Sequence, residues 1–461
     1  MIRPTTVLCS LLAAASSARA AITLDLSSTD SIKQAASTIA WGMVHYYTGN
    51  NTGDVPGNLP APYYWWEAGA MFGALVDYWY YTGDTTYNDI TTQAMQWQVG
   101  PNEDYMPPNQ TKTLGNDDQS FWAMAAMSAA EVNFPNPPAD KPQWLALAQA
   151  VFNTQAPRWD DSTCGGGLRW QVFTFNNGYN YKNTISNGCF FNIAARLGRY
   201  TGNSTYLDWA NKSWNWISSI GLMDGSGGTY HFYDGSDDTI NCTQINHIQW
   251  TYNAGVYLYG ASIMYNVSAE ADPNSSDTAM WKQRVDMIVG GLDVFFNNGI
   301  MFEVACETNG KCDVDQRSFK AYLARWMAAS TKVAPWTAST IMPLLQKSAQ
   351  AAVGTCSAGI DGNQCGLRWT EGAVNDGSMG VGEQMSALEV VQSNLIGNVA
   401  GPLTNSTGGT SAGNPAAGSN SDDNPIKFNA ITTADKAGAS ILTLMVLSAL
   451  FAGAWWMGVK G

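Results

Sequence analysis

Between Ala21 and Asn398 apolar residues recur at helical spacing. Trp66, Met71, Leu75 and Tyr78 form one stripe, and Phe121 to Met127, Leu145 to Val151, Phe190 to Leu197 and Val256 to Tyr265 form others. A loose repeat punctuates them: Tyr47-Thr48-Gly49-Asn50, Tyr81-Thr82-Gly83-Asp84 and Tyr200-Thr201-Gly202-Asn203. Each glycine stands where a helix end needs a left-handed residue, and the polar residue after it opens the next element. A second echo sets Cys164-Gly165-Gly166-Gly167-Leu168-Arg169-Trp170 against Cys365-Gly366-Leu367-Arg368-Trp369, each a Gly-rich loop that brings an Arg and a Trp together. Repeated helical hairpins with such loops predict an all-α toroid with its function on one rim. An open solenoid is the alternative, and the few, irregular repeats count against it.

The pattern changes at both ends. Residues 1–20 read as a secretory signal: Arg3, an apolar run from Val7 to Ala15, then Ala18-Arg19-Ala20 as a small-residue cleavage site. From Val399 the composition turns to Gly, Ser, Thr, Asn and Pro, which predicts a flexible stalk over residues 399–434 beyond a single catalytic domain at 21–398. Residues 435–461 are a terminal tail, apolar from about Ala439 to Gly458 and followed only by Lys460 as a cation. A spanning anchor is usually flanked by several cytoplasmic cations, whereas small residues, a polar spacer and an apolar end are what a GPI signal needs. The expectation is a tail exchanged for a lipid anchor, with attachment between Asn420 and Ala434. The protein would then sit on the outer face of the plasma membrane and in the cell wall.

Cysteines and sequons fit that address. Eight Asn-x-Ser/Thr sites, from Asn50 to Asn405, suggest a glycosylated surface. Cys306/Cys312 and Cys356/Cys365 are each close enough to close a small disulfide loop. Of Cys164, Cys189 and Cys242 one thiol is left over, and Cys189, in an apolar helical stretch, is the candidate. A net charge of −14 argues against nucleic acid or anionic lipid as partner. Nineteen Trp suit a groove that stacks on neutral sugars, although most are expected in the core.

Several chemistries drop out. The three His lack zinc-site spacing, and no cofactor or metal motif appears. The one Gly-x-Ser-x-Gly match, at Gly409–Gly413, falls in the expected stalk. Carboxylates with aromatics remain, the equipment of glycosidic bond chemistry. Asp117 and Asp118 stand out in Leu114-Gly115-Asn116-Asp117-Asp118-Gln119. Asn116 with Gln119 reads as a helix cap, and acids suit a first turn. Cap and catalysis are compatible, because a first turn at a rim can aim both carboxylates into a groove. Around them Trp65, Trp66, Trp170, Asp234, His247, Trp250, Tyr252 and Asn253 are candidates for the groove, each of which has core packing or a turn as its plainer explanation.

Together Asn116-Asp117-Asp118-Gln119, Gly165 to Gln171, Ile185-Ser186-Asn187-Gly188, Tyr233-Asp234-Gly235 and Trp250-Thr251-Tyr252-Asn253 resemble glycoside hydrolase family 76, the endo-α-1,6-mannanases, over residues 31 to 398. The resemblance implies an (α/α)6 barrel and retention of anomeric configuration. It makes Asp117 the nucleophile and Asp118 the acid/base, with Asn116, Asn187, Asp234 and the aromatic segments near bound mannose. For the fungal GPI-anchored branch it implies α-mannan or a GPI glycan as donor and glucan or mannan as acceptor. The protein is expected to act as a monomer. A non-catalytic mannan-binding wall protein is the competing expectation.

Overall fold

The structure is a computed structural model that describes residues 22–359, 361–419 and 433–460. The signal expected at 1–20 and residues 420–432 of the expected anchor-attachment stretch lie outside the described residues. Twelve helices alternate along residues 22–419. Six form an outer layer: α1 (Thr29–Val44), α3 (Asn88–Trp97), α5 (Trp144–Gln155), α7 (Ser204–Ser219), α9 (Ser276–Gly291) and α11 (Ala338–Gly354). Six form an inner ring: α2 (Trp65–Thr82), α4 (Asn116–Glu131), α6 (Thr184–Thr201), α8 (Thr251–Ala271), α10 (Phe319–Val333) and α12 (Val381–Gln392). Each inner helix packs on the next inner helix, and α12 returns to α2, so the ring closes. This is an (α/α)6 barrel.

Sequence pattern decides which helices go inside. In α4 and α6 nearly every residue is buried, polar ones included, as in a helix walled on all sides. The outer α7 buries Tyr206, Ala210, Ser213, Trp214, Trp216 and Ile217, a single helical stripe. Gly69 of α2 shows how closely inner helices approach: a Cβ there would lie 2.7 Å from Cγ of Trp122 on α4. Two of the three repeat glycines act as expected. Gly83 and Gly202 end α2 and α6 at φ 75° and 73°. Gly49 does not, because α1 already ends at Val44.

Three disulfides join Cys164–Cys242, Cys306–Cys312 and Cys356–Cys365, and Cys189 is a buried free thiol.

The largest departure from the sequence reading is the segment 399–419, which is a strap rather than a free stalk. It crosses the ends of the inner helices, where Lys332 Nζ donates to Val399 O (2.6 Å) and Arg199 to Pro402 O (3.0 Å). Leu403 N–H donates to Glu131 O (2.8 Å) and Asn405 N–H to Tyr200 O (3.0 Å). It then follows α5, where Asn153 donates to Pro415 O and Ala417 O. Ser411 Oγ accepts from Leu145 N–H at 2.9 Å, capping a helix whose own N-cap residue, Gln143, makes no capping bond. Hydrogen bonds rather than apolar side chains hold the strap, so hydropathy does not reveal it. The Gly409–Gly413 match is therefore ordered, and its serine is buried and occupied as a cap.

Residues 433–460 form a separate unit, the helix α13 (Thr433–Lys460). Its stretch Lys436–Gly453 has a mean hydropathy of 1.6 and is unburied.

Candidate active site

The N-termini of the inner helices meet at one end of the ring, the mouth. A cavity of ≈ 160 Å³ there is lined from five of them and their leading loops: Trp66 from α2, Asp117, Asp118 and Phe121 from α4, Asn183 and Tyr181 before α6, Tyr252 from α8, and Phe319 from α10. A wider lobe of ≈ 370 Å³ shares Trp66, Asp118, Trp170 and Asp315 with it and runs on to Tyr64, Trp65, Lys112 and Gln171. The two lobes make one aromatic-walled cleft.

The carboxylate pair is set by the first turn of α4. The helix starts one residue earlier than the sequence suggested, with Gly115 as N-cap in place of Asn116. Asp118 then occupies the third position, and its Oδ2 accepts the Gly115 N–H at 2.5 Å, the reach-back half of a capping box. Gly115 is required sterically. A Cβ on it would lie 2.4 Å from Asp117 Oδ1 and 2.8 Å from Asp118 Oδ2, so those oxygens are no more than about 5 Å apart. Asp117 Oδ1 also accepts the Asp118 N–H (3.1 Å).

Burial raises both acids. It is the leading cause for Asp117, opposed by hydrogen bonds from the Asp118 N–H and the Asn183 side chain. Asp118 is pushed further, first by burial and then by the negative charge of Asp117. Asp315 adds to both shifts; its own carboxyl is pushed up to about 6 by burial and the neighbouring Asp313. None of the three acids has an ion-pair partner among the described residues.

The Gly-rich loop delivers Trp170. Asn116 N–H donates to Trp170 O (2.8 Å) and Val172 N–H to Leu114 O (3.1 Å), which ties the loop to the start of α4. The ring of Trp170 lies on Gly178, where a Cβ would come within 2.2 Å of it. Beneath, the buried Lys182 donates to the carbonyls of Asp160, Thr163 and Gly166 at 2.7–2.8 Å, and Arg169 pairs with Asp160 and Asp238. The loop thus gets its shape from one buried ammonium that collects its inward carbonyls and one guanidinium that ties two of its neighbouring carboxylates.

The other predicted residues divide. Trp65 and Trp66 line the cleft, and Trp66 Nε1 donates to Asp315 (3.2 Å). Tyr252 lines it, stacked on Phe319 at 3.9 Å. Asp234 lines it too, but its carboxylate is already engaged by Tyr181 Oη (2.6 Å), Trp250 Nε1 (3.0 Å) and Asn246 (3.2 Å). So many donors make it a fixed acceptor that orients two aromatic side chains. Trp250 stands behind Asp234 and not in the lining.

Four more of the predicted residues lie outside the cleft lining. Asn116 is buried, donating to Arg169 O and accepting from Arg158. Asn187 is buried and holds both backbone groups of Leu168. Asn253 is buried outside the cleft lining, and its amide has no hydrogen-bond partner. His247 is exposed against Tyr233, also outside the lining. Asn116 and Asn187 brace the Gly-rich loop from behind, a role that a motif does not distinguish from contact with a sugar.

Conversely, Asp315, Tyr181, Asn183 and Phe319 line the cleft unforeseen. Asn183 had a legible signal: it caps α6 through Ser186 N–H (3.2 Å) just before an apolar run. Asp315 had none, lying in an acidic loop after a disulfide.

The family profile described as "Glycosyl hydrolase family 76" matches residues 31–406. The chain belongs to that family. Among family 76 relatives, a mannan endo-1,6-alpha-mannosidase of Saccharomyces cerevisiae, DCW1, is 48% identical over 438 residues, covering 95% of both chains. DFG5 of the same yeast, also called a mannan endo-1,6-alpha-mannosidase, is 45% identical and covers 95% of this chain and 94% of its own. The crystal structure of Dfg5 from Chaetomium thermophilum in complex with glucosamine superposes with a TM-score of 0.81 at 47% identity, covering 86% of this chain and 98% of that one. A more distant likeness, in fold, is an inactive variant of the α-1,6-mannanase of Salegentibacter sp. HEL1_6 in complex with α-1,6-mannotriose. It has a TM-score of 0.61 at 17% identity and covers 79% and 99%.

Proposed function

We propose that this protein is a retaining endo-α-1,6-mannosidase, with Asp117 as nucleophile and Asp118 as general acid/base. The observation that carries the reading is the convergence of two carboxylates, Asp117 buried and Asp118 half-buried, no more than about 5 Å apart, in an aromatic-walled cleft of a family 76 barrel. Their environments favour unlike roles. Asp118, raised further, keeps its proton and donates it to the glycosidic oxygen as the bond breaks. Asp117, held by two hydrogen-bond donors, is the one that ionises and attacks the anomeric carbon. A mannosyl ester on Asp117 results, and Asp118, now a carboxylate, takes a proton from the incoming hydroxyl. Two inversions restore the starting configuration.

Water completes hydrolysis; a sugar hydroxyl completes transfer. The wide lobe beside Asp118 has room for a sugar acceptor, and an enzyme tethered next to wall polysaccharide meets acceptor at high local concentration. The natural reaction is therefore transfer of α-mannan or a GPI-core mannoside onto glucan or mannan. The exposed apolar helix α13 supports a carboxy-terminal membrane signal, read here as one exchanged for a GPI anchor.

Incubation with α-1,6-manno-oligosaccharides, with and without a β-glucan acceptor, tests the reading by mass spectrometry beside Asp117→Asn. New chain lengths or glucan adducts absent from the variant are expected. Intact oligosaccharides with the wild-type protein would leave a binding protein rather than an enzyme.

A further inference from the structure

A second cavity, of ≈ 340 Å³, opens near the cleft, between the loops that lead into α10 and α12. Its lining includes Glu307, Arg317, Arg368, Asp376, Ser378 and Met379. The short turn Gln316–Ser318 separates it from the cleft, since Asp315 lines one and Arg317 the other. Trp250 forms a second partition. One side of it packs against Cys306, Cys312 and Leu367, which line the cavity, while its Nε1 donates to Asp234 in the cleft.

The lining is polar and balanced in charge. Arg317 pairs with Glu383 (3.1 Å), and Arg368 with Glu371 (3.1 Å) and Asp376 (3.7 Å), so each guanidinium is balanced in charge while keeping a donor edge. Glu307, only 3% exposed, gives one oxygen to Lys320 (2.7 Å) and leaves Oε2 without a hydrogen-bond partner. No aromatic ring faces the cavity. In the first of the two Gly-rich Leu-Arg-Trp loops Trp170 lies open in the cleft, whereas in the second Trp369 is buried, 3.7 Å under the Lys320 ammonium. A ligand here is held by hydrogen bonds to paired charges, which suits the hydroxyls of a neutral sugar.

We propose that this cavity is an accessory saccharide site that grips a remote unit of the neutral glycan chain occupying the cleft. The proposal rests on the mannosidase reading and adds a second foothold for long chains. It predicts a kinetic split by chain length. With the intact protein, Arg368→Ala and Met379→Trp, the latter placed to fill the cavity from a side chain that is 44% exposed, should raise KM for long α-1,6-mannan about fivefold, the loss of roughly one hydrogen bond. Both should leave kcat and all constants for α-1,6-mannotriose unchanged, with unaltered thermal unfolding.

Equal kinetics of variants and wild type on both substrates would overturn the accessory site while leaving the mannosidase reading intact. A wild-type protein that cleaves neither substrate would instead refute the parent reading. Inhibition of the wild type by inorganic phosphate, lost in Arg368→Ala, would show an anion site and equally overturn the proposal.

Discussion

At the base of the inner ring Glu131 meets Arg196 at 2.7 Å, and Asp77 and Glu389 share Arg325 at 2.7 and 2.6 Å. At the mouth Asp117, Asp118 and Asp315 lie close together with no such cation. Both ends bury acids between the same six helices, so burial alone does not mark function. At the base Arg325 opposes the rise that burial imposes on Asp77 and Glu389, although Glu389 is still pushed up to about 8, and such pairs fix how helices meet; removing either partner strands the other. At the mouth no arginine opposes the rise that burial and neighbouring acids impose, which makes the acids reactive and costs stability. The ends are also closed differently. The strap covers the base through hydrogen bonds, and the mouth is left open to a polymer.

The sharpest way to break this contrast is to neutralise the mouth. Asp117→Asn and Asp118→Asn should each lower kcat/KM by on the order of 10³ or more while the fold persists. Their stability should move the opposite way. Because the folded-state pKa of each acid is raised, the unfolded chain ionises more readily above about pH 4, and wild-type stability falls as pH rises through the raised folded values. Both variants should therefore melt above the wild type near neutrality and lose that advantage in acid, as calorimetry across pH would reveal.

At the base, Arg196→Met should cost about 3–5 kcal/mol, because it strands the buried Glu131. Denaturant titration gives the loss, and the surviving folded fraction should keep its kcat. A small loss would mean that water reaches Glu131 and that the two ends differ less than described. Ser411→Ala, which uncaps α5 from the strap, should cost about 1 kcal/mol with unchanged kinetics. No loss would mean that the strap is not held in solution.

The subtlest effect concerns Asp315. Its charge raises Asp117 and Asp118, so Asp315→Asn should lower both values. Both limbs of the pH profile of kcat/KM, the nucleophile's on the acid side and the acid/base's on the alkaline side, should shift to lower pH. A profile that does not move would remove Asp315 from the electrostatics of the pair.

The sequence disclosed whatever depends on periodicity or on local chemistry. Apolar stripes marked α2, α4, α5, α6 and α8, and the glycines after α2 and α6 ended them. The carboxylate pair was legible because two adjacent acids open an apolar helix. The cap was misplaced by one residue because Gly115, having no side chain, gives no polar signal, and only the carboxylate that reaches back identifies it. The places of Asn116 and Asn187 behind the cleft were not legible, because an amide that braces a loop and one that binds a sugar look alike in sequence. The strap escaped because its partners, including Glu131 O and Tyr200 O, are far away in the chain.

The most direct test of the central claim is the stereochemistry of the first product. Proton NMR of α-1,6-mannan cleavage, recorded before mutarotation, reads the configuration of the newly formed reducing end. A carboxylate pair no more than about 5 Å apart predicts the α-anomer first, relaxing later to the mixture. Initial appearance of the β-anomer would mean a single displacement by water, and would contradict Asp117 as nucleophile.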